Sequence, residues 1–140
     1  MTEYKRIFLD TTPIIYFLDI DINYAEKVEK IFAGFLETGC QMITSAITCA
    51  EYLTYPYRTG NSEKIDVFYE FLSDCGISTY PIDVNIANKA AQIRAEYKDF
   101  KTIDCLQLAT ACMQECDLFL TNDKQLRQFK EVKCVTVDEL

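Results

Sequence analysis

Short apolar runs rich in β-branched residues alternate along the chain with longer segments whose apolar residues recur every three or four positions. Short runs bounded by turn residues predict strands, and the longer spacing predicts helices that pack one face on a sheet. Strands that alternate with helices indicate βαβ units and a parallel sheet, which is an α/β fold. The five predicted strands cover residues 5–9, 41–44, 77–81, 117–120 and 133–137.

The segments between these strands are predicted to be helical. Gly39 and Gly76 precede strands and are expected to end the helices before them, while Gly60 marks a turn between two helices. Pro13 suits the first turn of a helix, where its missing N–H is not needed. The predicted helices cover residues 13–19, 25–35, 45–57, 61–73, 83–97, 102–114 and 123–129.

Length and composition predict a single domain, residues 1–140. A chain of 140 residues that is 49% hydrophobic can form one sizeable core. Its longest apolar stretches are interrupted well short of the roughly 20 residues that a membrane span needs. The opening MTEYKRIFLD lacks the apolar core of a secretory signal. We therefore expect a cytoplasmic protein without a membrane segment.

The chain has seven cysteines and no histidine. The cysteines are odd in number and scattered through apolar segments, which favours reduced, buried thiols over a disulfide framework. The absence of histidine excludes Ser-His-Asp and Cys-His catalytic sites and every histidine-ligated metal. An enzymatic site in this chain must use carboxylates, hydroxyls, lysine or thiol.

Acidic side chains outnumber basic ones by 22 to 14, which gives a net charge of −8. Such a charge ordinarily argues against a polyanionic partner. The objection weakens if several acids line one metal pocket, because two bound divalent ions would reduce the net charge to −4.

Four acidic residues are expected at one edge of the predicted sheet. In right-handed βαβ units, the helix N-termini lie at the same edge as the strand C-termini, where ligands collect. Asp10 ends the first strand, Glu51 lies in the helix after the second, Asp104 opens a later helix, and Asp123 follows the fourth strand. If the fourth strand lies beside the first, Asp10 and Asp123 flank the crevice where the winding reverses.

Several carboxylates that share a pocket raise one another's pKa unless a counter-charge is present. A hard divalent cation provides that charge, and Mg²⁺ or Mn²⁺ suits an oxygen-only site. One or two such ions could orient a water molecule and stabilise the leaving oxygen of a phosphodiester. The pattern therefore predicts metal-assisted phosphodiester hydrolysis.

Helix capping explains each acid equally well when it is considered alone, because helix starts favour acidic residues. Thr48 and Glu51 have the spacing of a capping box, Thr102 could cap the helix that carries Asp104, and Asp123 could itself be a cap. Asp83 also opens a predicted helix and is assigned a capping role alone.

Four ordered segments distinguish the other acids from Asp83, and together they resemble the motifs of PIN domains. Each segment contains one of the four acids and resembles one motif of the family, and the spacing between the segments is similar to that of the family. The segments are FLDTTPIIY at 8–16, TSAITCAEY at 44–52, IDCLQLATA at 103–111 and LFLTND at 118–123.

The resemblance implies a PIN-like three-layer α/β/α fold with a central, mostly parallel five-stranded sheet. It also implies a Mg²⁺- or Mn²⁺-dependent endoribonuclease, and a VapC-type toxin paired with a small antitoxin, expected to form a homodimer. Its implied metal ligands and catalytic residues are Asp10, Glu51, Asp104 and Asp123. Thr11 and Thr121 are the implied hydrogen-bonding support, whereas Gln107 departs from the more apolar residue usual at that position.

Basic and aromatic residues near these motifs are candidates for contacts. Arg94, Lys98 and Lys101 precede Asp104 and could bind RNA phosphate, although positive charge also complements a helix C-terminus. Three tyrosines near Glu51 form a second set: Tyr52, Tyr55 and Tyr57. The corresponding segment of related proteins commonly contributes to dimer or antitoxin contacts, and the resemblance implies the same role here.

Other classes of protein fit the sequence less well. A phosphoacceptor receiver domain would need an acid at the end of the third strand, where Tyr80 and Pro81 stand, and an acidic pair beside Asp10. A HAD-type phosphatase would need a second Asp at the position of Thr12. A PIN nuclease outside a toxin–antitoxin pair and a PIN fold that only binds remain as alternatives, the latter weakened by the presence of all four acids.

Overall fold

Five strands form one wholly parallel sheet in the computed structural model, which describes residues 3–140. The strand order is β3-β2-β1-β4-β5, so that β4 lies directly beside β1. This confirms the α/β fold and the predicted place where the winding reverses. The strands are Arg6–Leu9 (β1), Gln41–Ser45 (β2), Ser78–Tyr80 (β3), Leu118–Thr121 (β4) and Cys134–Thr136 (β5).

Six α-helices connect the strands, and their positions agree with the predicted segments to within a few residues. They are Thr11–Leu18 (α1), Ala25–Glu37 (α2), Ala46–Thr59 (α3), Ser62–Asp74 (α4), Val84–Glu96 (α5) and Thr102–Met113 (α6). Among the described residues, no helix combines the length and apolar character that crossing a bilayer requires. The seven cysteines are all free.

The helix predicted at 123–129 is a 3₁₀ helix, Lys124–Gln128. Its buried residue Leu126 and the residue that follows the helix, Phe129, are three positions apart and pack in the same core. That spacing matches the three residues per turn of a 3₁₀ helix better than the 3.6 of an α-helix.

Two apolar layers hold the helices against the sheet, because successive strand residues point to opposite faces. Ile7 and Leu9 of β1 pack with residues of α1 to α4 on one face. Phe8 packs on the other face with α5, α6 and Phe119 of β4, whose ring is stacked on it at 5.1 Å between centroids. This produces the three-layer arrangement.

Two predicted helix caps are wrong. Thr48 lies inside α3, because β2 leads straight into that helix and the last residue of β2, Ser45, is the N-cap. The Thr48 side chain is fully buried. The Ser45 hydroxyl accepts the Ile47 N–H at 3.1 Å. Lys101, not Thr102, is the N-cap of α6, and it makes no side-chain capping bond.

Replacing Phe119 with alanine is expected to destabilise the domain by about 3–5 kcal/mol, because a fully buried ring in the stacked pair is lost and a cavity remains. Urea unfolding of the full chain measures the change. Ile22→Ala, at a position that is 96% exposed, is the control and should change stability by less than about 0.5 kcal/mol. Equal effects of the two substitutions would contradict the assigned core.

Candidate metal centre

Asp10 lies where β1 ends, between β2 and β4. Its backbone N–H continues the sheet by donating to Leu120 O at 2.9 Å. One carboxylate oxygen accepts the Thr11 N–H at 2.9 Å, which caps α1, and the other accepts the Thr121 hydroxyl at 2.8 Å. Bonds from two elements therefore fix the orientation of this carboxylate at the sheet edge.

Glu51 lies on α3, in the layer beside α1. Its carboxylate accepts the Thr11 hydroxyl at 2.6 Å. Thr11 thus bonds to both acids, to Asp10 through its N–H and to Glu51 through its hydroxyl. The predicted hydrogen-bonding roles of Thr11 and Thr121 correspond to contacts in the structure, and their support of a bound metal stays a prediction.

Asp104 and Asp123 reach the same edge from the other side of β1. Asp104 is partly buried in the first turn of α6. Asp123 is exposed just after β4, where its side chain accepts the Gln125 N–H at 3.0 Å and its own N–H donates to Thr121 Oγ1 at 3.1 Å. Asp123 therefore caps the 3₁₀ helix, as the capping interpretation predicted.

The charges of neighbouring acids act on both Asp10 and Asp104. The pKa of Asp10 is raised to about 6, mainly by burial and in smaller part by the charges of Asp104 and Glu51, while the Thr121 and Thr11 bonds lower it. Burial also raises the pKa of Asp104, with added contributions from Asp123 and Glu51 and a lowering contribution from Lys101. Each of the four carboxylates is therefore close enough to at least one of the others for their charges to interact.

These acids do not already form a closed ligand cage. Within residues 3–140, no three side chains of the metal-binding types are grouped closely enough to hold an ion. The donor set nevertheless fits a hard divalent cation, because it contains carboxylate oxygens alone and its half-buried member, Asp10, carries a raised pKa that a positive charge would lower. Asp83, in contrast, is exposed and caps α5 by accepting the Ile86 N–H at 2.8 Å.

A buried polar network beneath the acids was missed by the sequence analysis. Ser45, Thr48 and Gln107 are all fully buried, although each has a polar side chain. The Gln107 amide donates to Thr48 Oγ1 at 2.9 Å and accepts a short hydrogen bond from Ser45 Oγ. The signal was the glutamine within the apolar run of α6, which the sequence marked only as a departure from the family pattern.

The three basic candidates, Arg94, Lys98 and Lys101, are all exposed. Arg94 lies on α5 and Lys98 just after it, where both border a surface groove of about 450 Å³. Lys101 is the one whose charge lowers the pKa of Asp104. None of the three forms a salt bridge with another of the described residues.

The three tyrosines of α3 do not share one environment. Tyr52 is buried, stacks on Phe68 and donates its hydroxyl to Asp19 at 2.9 Å, so it belongs to the core. It is therefore unsuited to the surface contact predicted for it. Tyr55 and Tyr57 are 64% and 67% exposed and remain candidates for such contacts.

A parallel five-stranded sheet with carboxylates gathered where its winding reverses defines an α/β protein with an acidic site at the carboxyl edge. The family model for the PIN domain matches residues 7–132. The chain therefore belongs to the PIN domain family. The search of curated proteins found no match.

Solved structures with low sequence identity share this fold. A toxin–antitoxin complex from Klebsiella pneumoniae is 20% identical with a TM-score of 0.72, covering 94% of this chain and 97% of that one. VapBC2 from Rickettsia felis, bound to a promoter DNA fragment, is 14% identical with a TM-score of 0.75 and coverage of 94% and 98%. VapC20 of Mycobacterium tuberculosis, a toxin that cleaves the sarcin-ricin loop, is 14% identical with a TM-score of 0.68 and coverage of 91% and 98%.

Asp10→Asn is expected to stabilise the metal-free protein at neutral and alkaline pH. The unfolded carboxyl group loses its proton near 3.8 and the folded one near 6, so ionisation of Asp10 lowers stability as the pH rises through this window. Asparagine removes that cost, and we expect a gain of about 2 kcal/mol, or roughly 5–8 °C in Tm.

Thermal unfolding in EDTA between pH 4 and pH 8 measures this effect. The advantage of Asp10→Asn should be small at pH 4 and complete above pH 6. Asp83→Asn is the matched control, because asparagine also caps helices and Asp83 is exposed. If Asp10→Asn is no more stable than the natural protein at pH 8, ionisation of Asp10 does not lower the stability of the fold and the raised pKa is contradicted.

Proposed function

We propose that this PIN domain is a Mg²⁺- or Mn²⁺-dependent endoribonuclease that hydrolyses RNA phosphodiester bonds, and that it is the toxin of a toxin–antitoxin pair. The observation that carries the proposal is the convergence of four carboxylates at one sheet edge, where the charges of Asp104 and Glu51 act on Asp10 and those of Asp123 and Glu51 act on Asp104. Capping alone does not require the acids of α3 and α6 to influence the acid that ends β1.

Asp10, Glu51, Asp104 and Asp123 would hold the metal. A bound divalent ion supplies positive charge for a water nucleophile and for the leaving oxygen. Within the chain, the Thr121 and Thr11 bonds orient the Asp10 carboxylate, and Thr11 also restrains Glu51. The residues that bind are thus positioned before any ligand arrives, which lowers the cost of assembling the site.

RNA binding has to overcome a net charge of −8. Lys101 is well placed to help, because its charge already acts on Asp104 at the site. Arg94 and Lys98 add positive charge along the surface groove that they border. We assign the backbone of the RNA to this side, where phosphate contacts position a substrate without reading its sequence.

The toxin assignment is supported by the fold shared with toxin–antitoxin complexes such as that of Klebsiella pneumoniae. The RNA substrate is supported by the fold shared with VapC20, which cleaves the sarcin-ricin loop. In this proposal, a small antitoxin protein covers the acidic site, and the toxin is a homodimer. Tyr55 and Tyr57 offer exposed aromatic surface on α3 for such contacts.

RNA cleavage by the purified chain is expected with added Mg²⁺ or Mn²⁺ and not in EDTA. Asp104→Asn should lower cleavage by at least about a hundredfold, because it removes a carboxylate without changing side-chain shape. A gel assay on structured and single-stranded RNA measures the rates, and circular dichroism verifies that the variant folds.

Asp83→Asn again provides the matched control, since Asp83 also opens a helix but caps it without taking part in the acidic site. Its cleavage rate should equal that of the natural chain. Undiminished cleavage in EDTA would refute the metal mechanism, and equal losses in both variants would show that the assay reports folding.

The toxin part of the proposal makes a separate prediction. Induced expression of the chain in a bacterium should arrest growth, and Asp104→Asn should abolish the arrest, because it depends on RNA cleavage. The proposal also expects a small antitoxin gene beside this one, and co-expression of its product should restore growth and form a complex that copurifies with the toxin. Cleavage in vitro without growth arrest would favour a PIN nuclease outside a toxin–antitoxin pair.

A further inference from the structure

A continuous chain of hydrogen bonds, buried from Gln107 to Thr11 and partly exposed at the acids, joins α6 to Glu51 and Asp10. Gln107 occupies its centre and is fully buried. The amide nitrogen of Gln107 donates to Thr48 Oγ1 at 2.9 Å, and Thr48 Oγ1 lies 3.1 Å from Thr11 Oγ1. Thr11 in turn reaches Glu51 at 2.6 Å.

The direction of these bonds follows from the number of protons available. A carboxylate can only accept, so the single hydroxyl proton of Thr11 points to Glu51. Because the Thr11 proton is already used, the 3.1 Å contact between the two hydroxyls is a hydrogen bond only when Thr48, which accepts from Gln107, donates its own proton to Thr11. Every donor between Gln107 and Glu51 therefore points toward the carboxylate.

Gln107 also reaches Asp10. Its amide nitrogen lies 3.5 Å from an Asp10 carboxylate oxygen, at the limit of hydrogen-bond distance. The Ser45 hydroxyl donates to the amide oxygen and so fixes which end of the amide faces the acids. Because the nitrogen has two N–H groups, one residue can serve the chain to Glu51 and the contact to Asp10 together.

We propose that Gln107 is a positioning residue that sets the direction of this donor chain and thereby holds Glu51 and Asp10 oriented for metal binding. The inference rests on the proposed metal-dependent function. Partners behind the ligands of a metal commonly fix ligand orientation, and their loss weakens binding by about 10–100-fold. An apolar residue at this position would leave the Thr48 and Ser45 hydroxyls without a partner from α6.

A purely structural role would predict a different pattern of effects. Thr110, one turn along α6, is also fully buried and polar, but its hydroxyl donates to Leu106 O within the same helix at 2.8 Å. It has no connection to an acid. The Thr110 hydroxyl therefore provides a matched case of a buried hydrogen bond that stabilises the fold without reaching the site.

The experiment measures Mn²⁺ affinity of the full chain by titration calorimetry without RNA. Gln107→Met keeps length and apolar packing but removes the amide, and Thr48→Val removes the hydroxyl next in the chain. Both should weaken Mn²⁺ binding by about tenfold. Thr48→Ser keeps the hydroxyl and should retain affinity, as should the control Thr110→Val.

The double variant tests whether the two residues act through one path. If Gln107 works through Thr48, combining Gln107→Met with Thr48→Val should weaken binding by much less than the product of the two single effects. Thermal unfolding in EDTA records the stability of each variant. If Gln107→Met does not fold, the comparison of Thr48→Val with Thr48→Ser decides the question.

The outcomes separate this inference from the function on which it rests. The positioning role alone is overturned if the natural protein binds Mn²⁺ and the Gln107→Met and Thr48→Val variants bind it equally well. It is also overturned if Thr110→Val loses as much affinity as Thr48→Val. Natural protein that neither binds Mn²⁺ nor cleaves RNA overturns the proposed function and the inference together.

Discussion

The site is organised by one constraint, which is that the ionisable carboxyl group of Asp10 lies at the desolvated end of a central strand. Its pKa is raised to about 6, mainly by burial and in smaller part by the neighbouring carboxylates. Neutral donors offset part of this cost, namely the Thr121 hydroxyl and the Thr11 N–H. Hydroxyl and amide donors lower the energy of an anion without neutralising it, so the site keeps its demand for positive charge.

The sheet order explains why residues so far apart in the sequence meet. The strands β1 to β3 are added outward in one direction with α1 to α4 on one face, and the chain then crosses to place α5 and α6 on the other face. The strand β4 pairs with the free side of β1, which aligns Leu9 with Leu120 and brings Thr121 beside Asp10. Glu51 and Asp104 approach this edge from opposite layers, so neither layer alone contains the site.

The sequence predicted the features that depend on periodicity and missed those that depend on a partner across the core. The apolar runs of β1 and β4 and the helical spacing of α2 are visible in the chain because one face of each element must be apolar. Thr48 was interpreted as a cap, since sequence spacing could not show that β2 would pass into α3 without a loop. Gln107 looked like a packing defect because its partners, Ser45 and Thr48, lie about 60 residues away.

Capping and metal binding were opposed interpretations of the acids, and the geometry shows that they are compatible. Asp10 caps α1 with one oxygen while the other faces β4, and Asp123 caps its 3₁₀ helix with one oxygen, the second making no hydrogen bond within residues 3–140. A cap restrains the side chain and leaves an oxygen to bind elsewhere. Asp83 caps as well, yet its charge contributes to neither raised pKa. A local pattern can therefore identify a capping acid, but the neighbours that the fold brings to it decide whether it also belongs to a site.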